Sequence, residues 1–189
     1  MPARGLLVVA FGAALLGSIG CGGGSDSGGS GVTVPALSCS DGGPAAEDAV
    51  TMNCGGAIDG TTERVDVVMG GPATGTTTLQ GLNFDITYDP AALEFIPEAI
   101  PTSPLFPSAL VLTVLANGQQ GRLVAAIQQP GTLPDVDVGP GQHLVLSLTF
   151  RTVPGAAFDP TPLAFERADA TNASDPVSFV SGLAVGYRP

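Results

Sequence analysis

Few side chains in this sequence have the chemistry of nucleophiles, general bases or metal ligands. The 189 residues include three cysteines, Cys21, Cys39 and Cys54, and a single histidine, His143. A structural zinc site usually takes four cysteine or histidine ligands, so Cys39, Cys54 and His143 together make a poor metal site. No serine or cysteine motif of the type G-x-S-x-G accompanies the histidine. We therefore predict no metal, no cofactor, and a surface or turn position for His143.

Two further patterns suggest catalysis only weakly. The stretch SDSGG, residues 25–29, is similar to the surroundings of a protease's nucleophilic serine, but nothing in its Gly/Ser-rich context could hold a base in place. Asp85, Asp89 and Glu94 could supply the two carboxylates, about 5–10 Å apart, that glycoside hydrolysis requires. Because acidic residues are common at strand ends, we predict that the protein is not an enzyme and keep the carboxylates as an open alternative.

The loop DVDVGPG, residues 135–141, suggests calcium. An EF-hand loop starting at Asp135 would need glycine at position 140 and glutamate at position 146, where the chain has Pro140 and Leu146. That loop type is excluded, while a different calcium site using Asp135 and Asp137 stays open.

Residues 1–20 have the pattern of a signal peptide. Arg4 precedes the apolar run GLLVVAFGAALL, which is shorter than the roughly 20 residues that span a bilayer. The run ends in GSIG before Cys21. This resembles a bacterial lipobox, with Ser18 where that motif usually has leucine, and the resemblance implies that Cys21 is lipidated and becomes the new N-terminus. An ordinary secretory signal with an incidental cysteine is the alternative.

The residues after Cys21 predict a flexible tether over residues 21–31. GGGSDSGGSG has no side chains to bury, and ten such residues reach about 17 Å. Gly22 is not the aspartate associated with inner-membrane retention, which in a Gram-negative cell favours the outer membrane. We expect an exported protein of the cell envelope that contacts the membrane only through its lipid anchor.

With Cys21 assigned to the lipid, Cys39 and Cys54 remain as a pair in an oxidising compartment, which predicts a disulfide. Closing a loop of about 15 residues would contribute about 3 kcal/mol in the chain-entropy model. We expect residues 32–61 to form a short bridged segment, with VTV and AVTMN as weak strand candidates, ahead of the main domain at residues 62–189.

The charge balance argues against nucleic acid as a partner. The chain has 17 acidic residues against six arginines and no lysine, for a net charge of −11, whereas phosphate binding requires clustered cations.

From residue 62 the chain consists of short strand candidates separated by turn residues, without helical periodicity. The candidates are TERVDVVM, LNFDITY, LEFI, ALVLTVLA, GRLVAAIQ, HLVLSLTFRTV, PLAFERA and SFVSGLAVGY. Asn117-Gly118 is a strong hairpin signal between the fourth and fifth, and GPATGTTT and PEAIPTSPLFPS are predicted loops. HLVLSLTFRTV places Leu144, Leu146, Leu148 and Phe150 on one face and Val145, Ser147, Thr149 and Arg151 on the other. About eight to nine strands predict an all-β fold, an antiparallel β-sandwich.

The order of these segments resembles the cohesin domain. The resemblance covers about residues 62–187 and is carried by ERVDVVM, GLNFDITYDPAALEF, GRLVAAI, GPGQ, HLVLSLTFRTV and PLAFERADATNASD, of which FDITYDPAALEF is the most specific. It implies a jelly-roll sandwich related to some carbohydrate-binding modules. In cellulosomal cohesins, one sheet face binds a calcium-loaded dockerin.

The strand before Tyr88-Asp89-Pro90 supplies the candidate binding face. Leu82, Phe84, Ile86 and Tyr88 are predicted to face the core, which leaves Gly81, Asn83, Asp85 and Thr87 outward. The asparagine and aspartate that some cohesins use align with Gly81 and Asn83, so the first position differs and the second is only similar.

We therefore predict a non-catalytic, lipid-anchored surface protein whose cohesin-like domain binds another protein, dockerin-like or an envelope component. The alternative is a carbohydrate-binding module for polysaccharide capture or breakdown, with a glycan as partner.

Sugar stacking needs aromatic faces, but the chain has no tryptophan, and Tyr88 and Tyr187 fall on core faces. Phe106 in the Pro-rich loop is then the candidate exposed ring. A structural envelope lipoprotein without a soluble ligand is a third possibility.

Replacing Cys21 with alanine should release the protein from membranes, because the lipid is its only predicted contact with the bilayer. The measurement is the share of protein that sediments with the membrane fraction, with Ser25→Ala in the tether as the control that stays bound. Unchanged membrane retention of Cys21→Ala would contradict lipidation at this cysteine.

Overall fold

A computed structural model describes residues 36–116, 121–155 and 161–188 of the chain. These residues belong to one compact unit, Thr33–Pro189. The predicted signal peptide, Cys21, the tether, the VTV segment and the Asn117-Gly118 turn lie outside the described residues.

The described residues contain thirteen β-strands and no α-helix. The strands are β1 (Ala36–Ser40), β2 (Ala49–Ala57), β3 (Thr62–Gly70), β4 (Thr77–Leu79), β5 (Gly81–Thr87), β6 (Leu93–Ile96), β7 (Leu110–Leu115), β8 (Arg122–Gln128), β9 (Val136–Val138), β10 (Gln142–Thr152), β11 (Thr161–Thr171), β12 (Ser178–Val180) and β13 (Leu183–Arg188). Within this part of the chain, no helix has the length and apolar character needed to cross a membrane. Sequence analysis missed β1, β4 and β9; of these, β4 and β9 have only three residues each.

Two sheets pack face to face and confirm the predicted β-sandwich. One has six strands in the order β1-β13-β11-β5-β8-β7, the other has five in the order β12-β2-β3-β10-β6, and β4 pairs with β9 in a small separate ladder. Every pairing is antiparallel except that of β12 with β2, which is parallel.

The core lies between the two inner sheet faces and follows from the alternation of side chains along each strand. The six-stranded sheet contributes residues of β5 and β8, namely Leu82, Phe84, Ile86, Leu123, Ala125 and Ile127. The five-stranded sheet contributes residues of β3 and β10, namely Val65, Val67, Met69, Leu146, Leu148 and Phe150. Burying each large apolar side chain contributes about 1.5–3 kcal/mol. The rings of Tyr88 and Phe150, one from each sheet region, meet edge to face with centroids 5.3 Å apart.

A β-bulge in β10 corrects the predicted alternation of that strand. The pairing with β3 shifts between Leu144 and Leu146, so one extra residue is accommodated on β10. As a result Val145, predicted to face outward, is buried together with Leu146, whereas Leu144 is only half-buried.

The segment that sequence analysis set ahead of the main domain contributes strands to both sheets. β1 pairs with β13 in the six-stranded sheet, and β2, which includes the AVTMN candidate, pairs with β3 in the five-stranded sheet. The predicted disulfide between Cys39 and Cys54 is confirmed, with the two Cα atoms 5.8 Å apart. Because Cys39 lies on β1 and Cys54 on β2, the disulfide connects the two sheets.

The C-terminal segment SFVSGLAVGY forms two strands rather than one. β12 lies in the five-stranded sheet and β13 in the six-stranded sheet, with Ser181 and Gly182 between them. Phe179 is therefore half-buried near the edge of the sandwich, where its ring packs against Phe165 at 5.6 Å between centroids.

Glu63 at the start of β3 is a carboxylate buried at the end of the sandwich. Its side chain points inward, the residue is only 4% exposed, and its Oε1 accepts a hydrogen bond of 3.1 Å from the backbone N–H of Gly56. Burial raises the pKa of Glu63 above its ordinary value, since desolvation outweighs this hydrogen bond and the attraction of Arg64. A raised carboxyl pKa favours the folded state below the pKa of the unfolded chain, and that contribution is lost as the pH rises through the folded-state pKa.

Glu63→Gln should therefore make the protein more stable than wild type at pH 7 and leave the two equal near pH 3.5. Glutamine keeps the acceptor for Gly56 and removes the buried charge. The measurement is the free energy of unfolding in urea between pH 3.5 and 8, with the exposed Glu98→Gln as control. A stability difference that did not change with pH would contradict the buried-charge explanation.

Candidate functional site

The four predicted residues of β5 lie together on the side of the six-stranded sheet that faces away from the core. β5 runs between β11 and β8, and burial of Leu82, Phe84 and Ile86 on its inner side leaves the alternate positions outward. The predicted outward orientation of these positions is therefore confirmed, but the structure corrects how exposed they are. Asp85 is only 8% exposed and Gly81 is buried, whereas Asn83 and Thr87 are half-buried.

This surface consists of three rows that run across four strands. In the strand order β11-β5-β8-β7, the rows are Arg167–Asp85–Val124–Val114, Asp169–Asn83–Ala126–Leu112 and Thr171–Gly81–Gln128–Leu110. We call these twelve residues the outer face. They form a gradient from charged side chains on β11 to aliphatic side chains on β7.

Asp85 is shielded because it forms an ion pair with Arg122, the first residue of β8. The guanidinium Nη2 donates a hydrogen bond to Asp85 Oδ2, and Nε lies 3.4 Å from Glu166 Oε2. The pKa of Arg122 is raised because Asp85 accepts its hydrogen bond, and Glu166 adds to the effect. Asp85 is thus neutralised by an internal partner rather than presented as a free charge.

The two half-buried polar residues of β5 bind to β11. Asn83 Nδ2 donates to Thr171 Oγ1 at 3.3 Å, and Thr87 Oγ1 donates to the carbonyl of Ala164 at 3.4 Å. These contacts fix the side chains in place while leaving part of each accessible.

The close approach of β5 and β8 requires glycine at position 81. A Cβ added at this position would lie 2.3 Å from the carbonyl oxygen of Ile127 on β8. Only glycine permits this close approach of the two strands, so Gly81 offers no side chain to a ligand and shapes the end of the face instead.

Sequence analysis missed the aliphatic half of the outer face. Leu110, Leu112 and Val114 on β7 are 76%, 48% and 40% exposed, and Val124 and Ala126 on β8 lie beside them half-buried. The signal was present in ALVLTVLA, which is apolar at consecutive positions and therefore on both faces of the strand.

The carboxylates considered for catalysis each contact a different partner within the protein. Asp89 Oδ1 accepts a hydrogen bond from the N–H of Ala91 at 2.8 Å, and Glu94 on β6 forms an ion pair of 2.8 Å with Arg151 on the neighbouring β10 of the five-stranded sheet. His143, predicted at a surface or turn position, lies half-buried near the start of β10, where its Nε2 is 2.8 Å from the carbonyl oxygen of Gly139. No group of three or more metal-ligating side chains occurs in the part of the chain that the structure describes.

Phe106 was predicted to be exposed, and this is wrong. The residue is 1% exposed and belongs to the core, although it lies in the Pro-rich loop. The loop folds inward there because the N–H of Phe106 donates to Ser103 Oγ at 3.2 Å, and the N–H of Leu105 donates to the carbonyl of Leu144 at 3.1 Å.

Several solved structures that superimpose on this chain are cohesin modules. The third cohesin ScaC of Acetivibrio cellulolyticus, in complex with the ScaB dockerin, superimposes with a TM-score of 0.55 at 12% identity, covering 71% of this chain and 95% of that chain. The sixth cohesin of scaffoldin B from the same organism, in complex with a Cel5 dockerin, gives 0.50 at 14% identity over 71% and 95%. A type II cohesin–X–dockerin complex of A. cellulolyticus gives 0.50 at 16% identity over 70% and 94%.

The chain is therefore a cohesin-like β-sandwich, which confirms the resemblance seen in the sequence at the level of fold. No family model matches the sequence, and no curated protein matches it.

The ion pair of Asp85 and Arg122 should couple more strongly than an exposed pair, since replacing Arg122 leaves the shielded carboxylate of Asp85 without its partner. The coupling energy of this pair is obtained by urea unfolding from a double-mutant cycle of Asp85→Asn and Arg122→Gln. We expect it to exceed the coupling energy of the Glu94–Arg151 pair, obtained in the same way from Glu94→Gln and Arg151→Gln. The second pair is about half exposed, and such pairs typically contribute about 0.2–1 kcal/mol. Equal coupling in the two cycles would show that Asp85 is not held by Arg122 in solution.

Proposed function

We propose that the protein is a non-catalytic, lipid-anchored component of the cell envelope whose cohesin-like domain binds another protein through the outer face. The observation that carries this proposal is the composition of that face. Exposed aliphatic side chains on β7 lie in one continuous surface with polar and charged side chains on β5 and β11.

Protein interfaces combine an apolar centre, from which charged residues are depleted, with a polar rim. On the outer face, Leu112, Val114 and Val124 supply the apolar area, while Arg167 and Asp169 on β11 are exposed charges at its edge. Clustered exposed aliphatic side chains on a soluble domain commonly mark a contact surface. β5, β8 and β11 are each paired on both sides, so the face is presented on a rigid support.

Two further observations support a protein partner on an exported module. The cohesins with the same fold named above were solved in complex with dockerins. The signal-peptide and lipobox pattern ending at Cys21, followed by the Gly/Ser tether, supports anchoring at the cell envelope, with the outer membrane as the favoured location in a Gram-negative cell.

The carbohydrate-binding alternative has no matching feature in the described residues. Sugar-binding surfaces use exposed aromatic rings, and none of the Phe or Tyr side chains that the structure describes is exposed. With Phe106 buried, the ring on which that alternative depended is part of the core.

The test is capture of a partner by residues 32–189, immobilised without the lipid cysteine and exposed to an extract of the source organism. We expect a protein bound in stoichiometric amount, identified by mass spectrometry. Its affinity should fall at least about tenfold, or about 1.4 kcal/mol, when Asn83 and Asp169 are both replaced by alanine. These two residues lie side by side across β5 and β11, and neither belongs to the core.

The matched control replaces Glu94 and Arg151 by alanine, which removes a similar pair from the opposite sheet. Equal loss of binding in both variants, or none in either, would contradict the assignment to the outer face. Retained polysaccharide without stoichiometric protein would instead favour the glycan alternative. Adding a calcium chelator during capture distinguishes a dockerin-like partner, which should be lost, from other proteins.

A further inference from the structure

β7 forms one edge of the six-stranded sheet. It pairs with β8 on one side, and no strand among the described residues pairs with its other side. The backbone groups along that side are positioned to form hydrogen bonds with an added strand. Such an edge is a template for pairing with another chain.

The usual protections of an edge strand are absent from β7. Natural edges are blocked by charged side chains, proline or bulges, but Leu110–Leu115 contains none of these, and its pairing with β8 is regular. The sequence has no charged residue between Glu98 and Arg122. On its outward side, the strand exposes three aliphatic residues instead.

The pattern of β7 is complementary to itself in one register. In an antiparallel pair, directly opposite residues point to the same side of the sheet. When β7 pairs with its own copy about a two-fold axis, the numbers of any two opposite residues have the same sum. The outward residues 110, 112 and 114 face one another only when that sum is even. A two-fold axis through residue 112 places Leu112 opposite its own copy and Leu110 opposite Val114. In this register every exposed aliphatic residue of β7 meets another, and Val111 lies opposite Thr113 on the inner side.

We propose that two copies of this chain associate through β7, antiparallel about a two-fold axis at Leu112, to form one continuous sheet of twelve strands. The interface is isologous, since each copy contributes the same strand. Six aliphatic side chains from the two strands cover the junction, flanked by Val124 and Ala126 of each copy. This inference does not depend on the partner proposed above, because it concerns the purified protein alone.

The charge of the molecule gives the association a distinctive salt dependence. Each full chain carries a net charge of −11, so two copies repel one another at low ionic strength, while the β7 contact contains no ion pair for salt to weaken. Screening of the repulsion should therefore strengthen the dimer as salt rises. An interface held by opposite charges would respond in the opposite direction.

The test is sedimentation equilibrium of purified residues 32–189, which contain both sheets and the disulfide. We expect a monomer–dimer equilibrium that shifts toward dimer from about 10 mM to 500 mM NaCl, where the screening length falls severalfold. Leu112→Lys should weaken association at least about tenfold, because it sets two like charges against each other at the axis. The matched control is Val180→Lys on β12, an exposed edge position of the other sheet that is 49% exposed, and it should leave the dimer unchanged.

A mixture of Leu112→Lys and Leu112→Glu should associate again as a heterodimer, because the register places these two residues opposite each other. Leu112→Cys should oxidise to a covalent dimer, since opposite Cα atoms about 4.5–5.5 Å apart suit a disulfide, whereas Leu110→Cys alone should not. A strictly monomeric wild type, an equal effect of Val180→Lys, or a mixture that stays monomeric would each overturn the proposal. The cysteine variants provide the same test if the charged variants fail to fold.

Discussion

The alternation of side chains along β5 is the constraint on which the outer face depends. Leu82, Phe84 and Ile86 belong to the core and lie on a strand in the interior of the six-stranded sheet. Because successive side chains of a strand point to opposite faces, Asn83 and Asp85 must lie on the side away from the core. A shift of one residue in the pairing would bury the polar set and expose the aromatic ring. The energy that holds the core together therefore also fixes the register of the surface.

The one buried charge of that surface, Asp85, is satisfied within the molecule. Asp85 and Arg122 neutralise each other, and Glu166 lies beside the same guanidinium. What remains for a second molecule is the half-buried amide of Asn83, the exposed charges at the β11 side and the aliphatic side chains of β7. The face is consequently less polar than the acidic composition of the chain suggests, and the proposed partner would contact it mainly through shape and apolar side chains.

The features that sequence analysis obtained correctly depend on short-range patterns. The alternation in LNFDITY, the pairing of the two cysteines left after Cys21 and the sandwich class all follow from residues close in sequence or from simple counting. The corrections concern contacts over long separations. The shielding of Asp85 depends on Arg122, which is 37 residues away, and Gly81 is required by the backbone of Ile127.

Other features escaped prediction because a local rule gave the wrong answer. A bulge in β10 turns Val145 inward against the expected alternation. The Pro-rich loop, in which the sequence predicts an exposed Phe106, carries that ring into the core. The exposed aliphatic side of β7 was overlooked because a strand with apolar residues on both faces is usually buried on both faces, and only the strand order shows that β7 lies at an edge.

The disulfide between the two sheets also determines how the domain bears force. Among the described strands, β1 pairs only with β13, so a pull on the residues that precede it would by itself peel β1 away one hydrogen bond at a time. At Cys39 the load passes through the covalent bond to Cys54 on β2, which is paired with β3 and β12. The sandwich is then loaded through both layers at once, and further peeling requires the disulfide to break. In a module held at its N-terminus and pulled by a bound partner, an intact disulfide would set the mechanical strength of the attachment separately from the equilibrium stability of the fold.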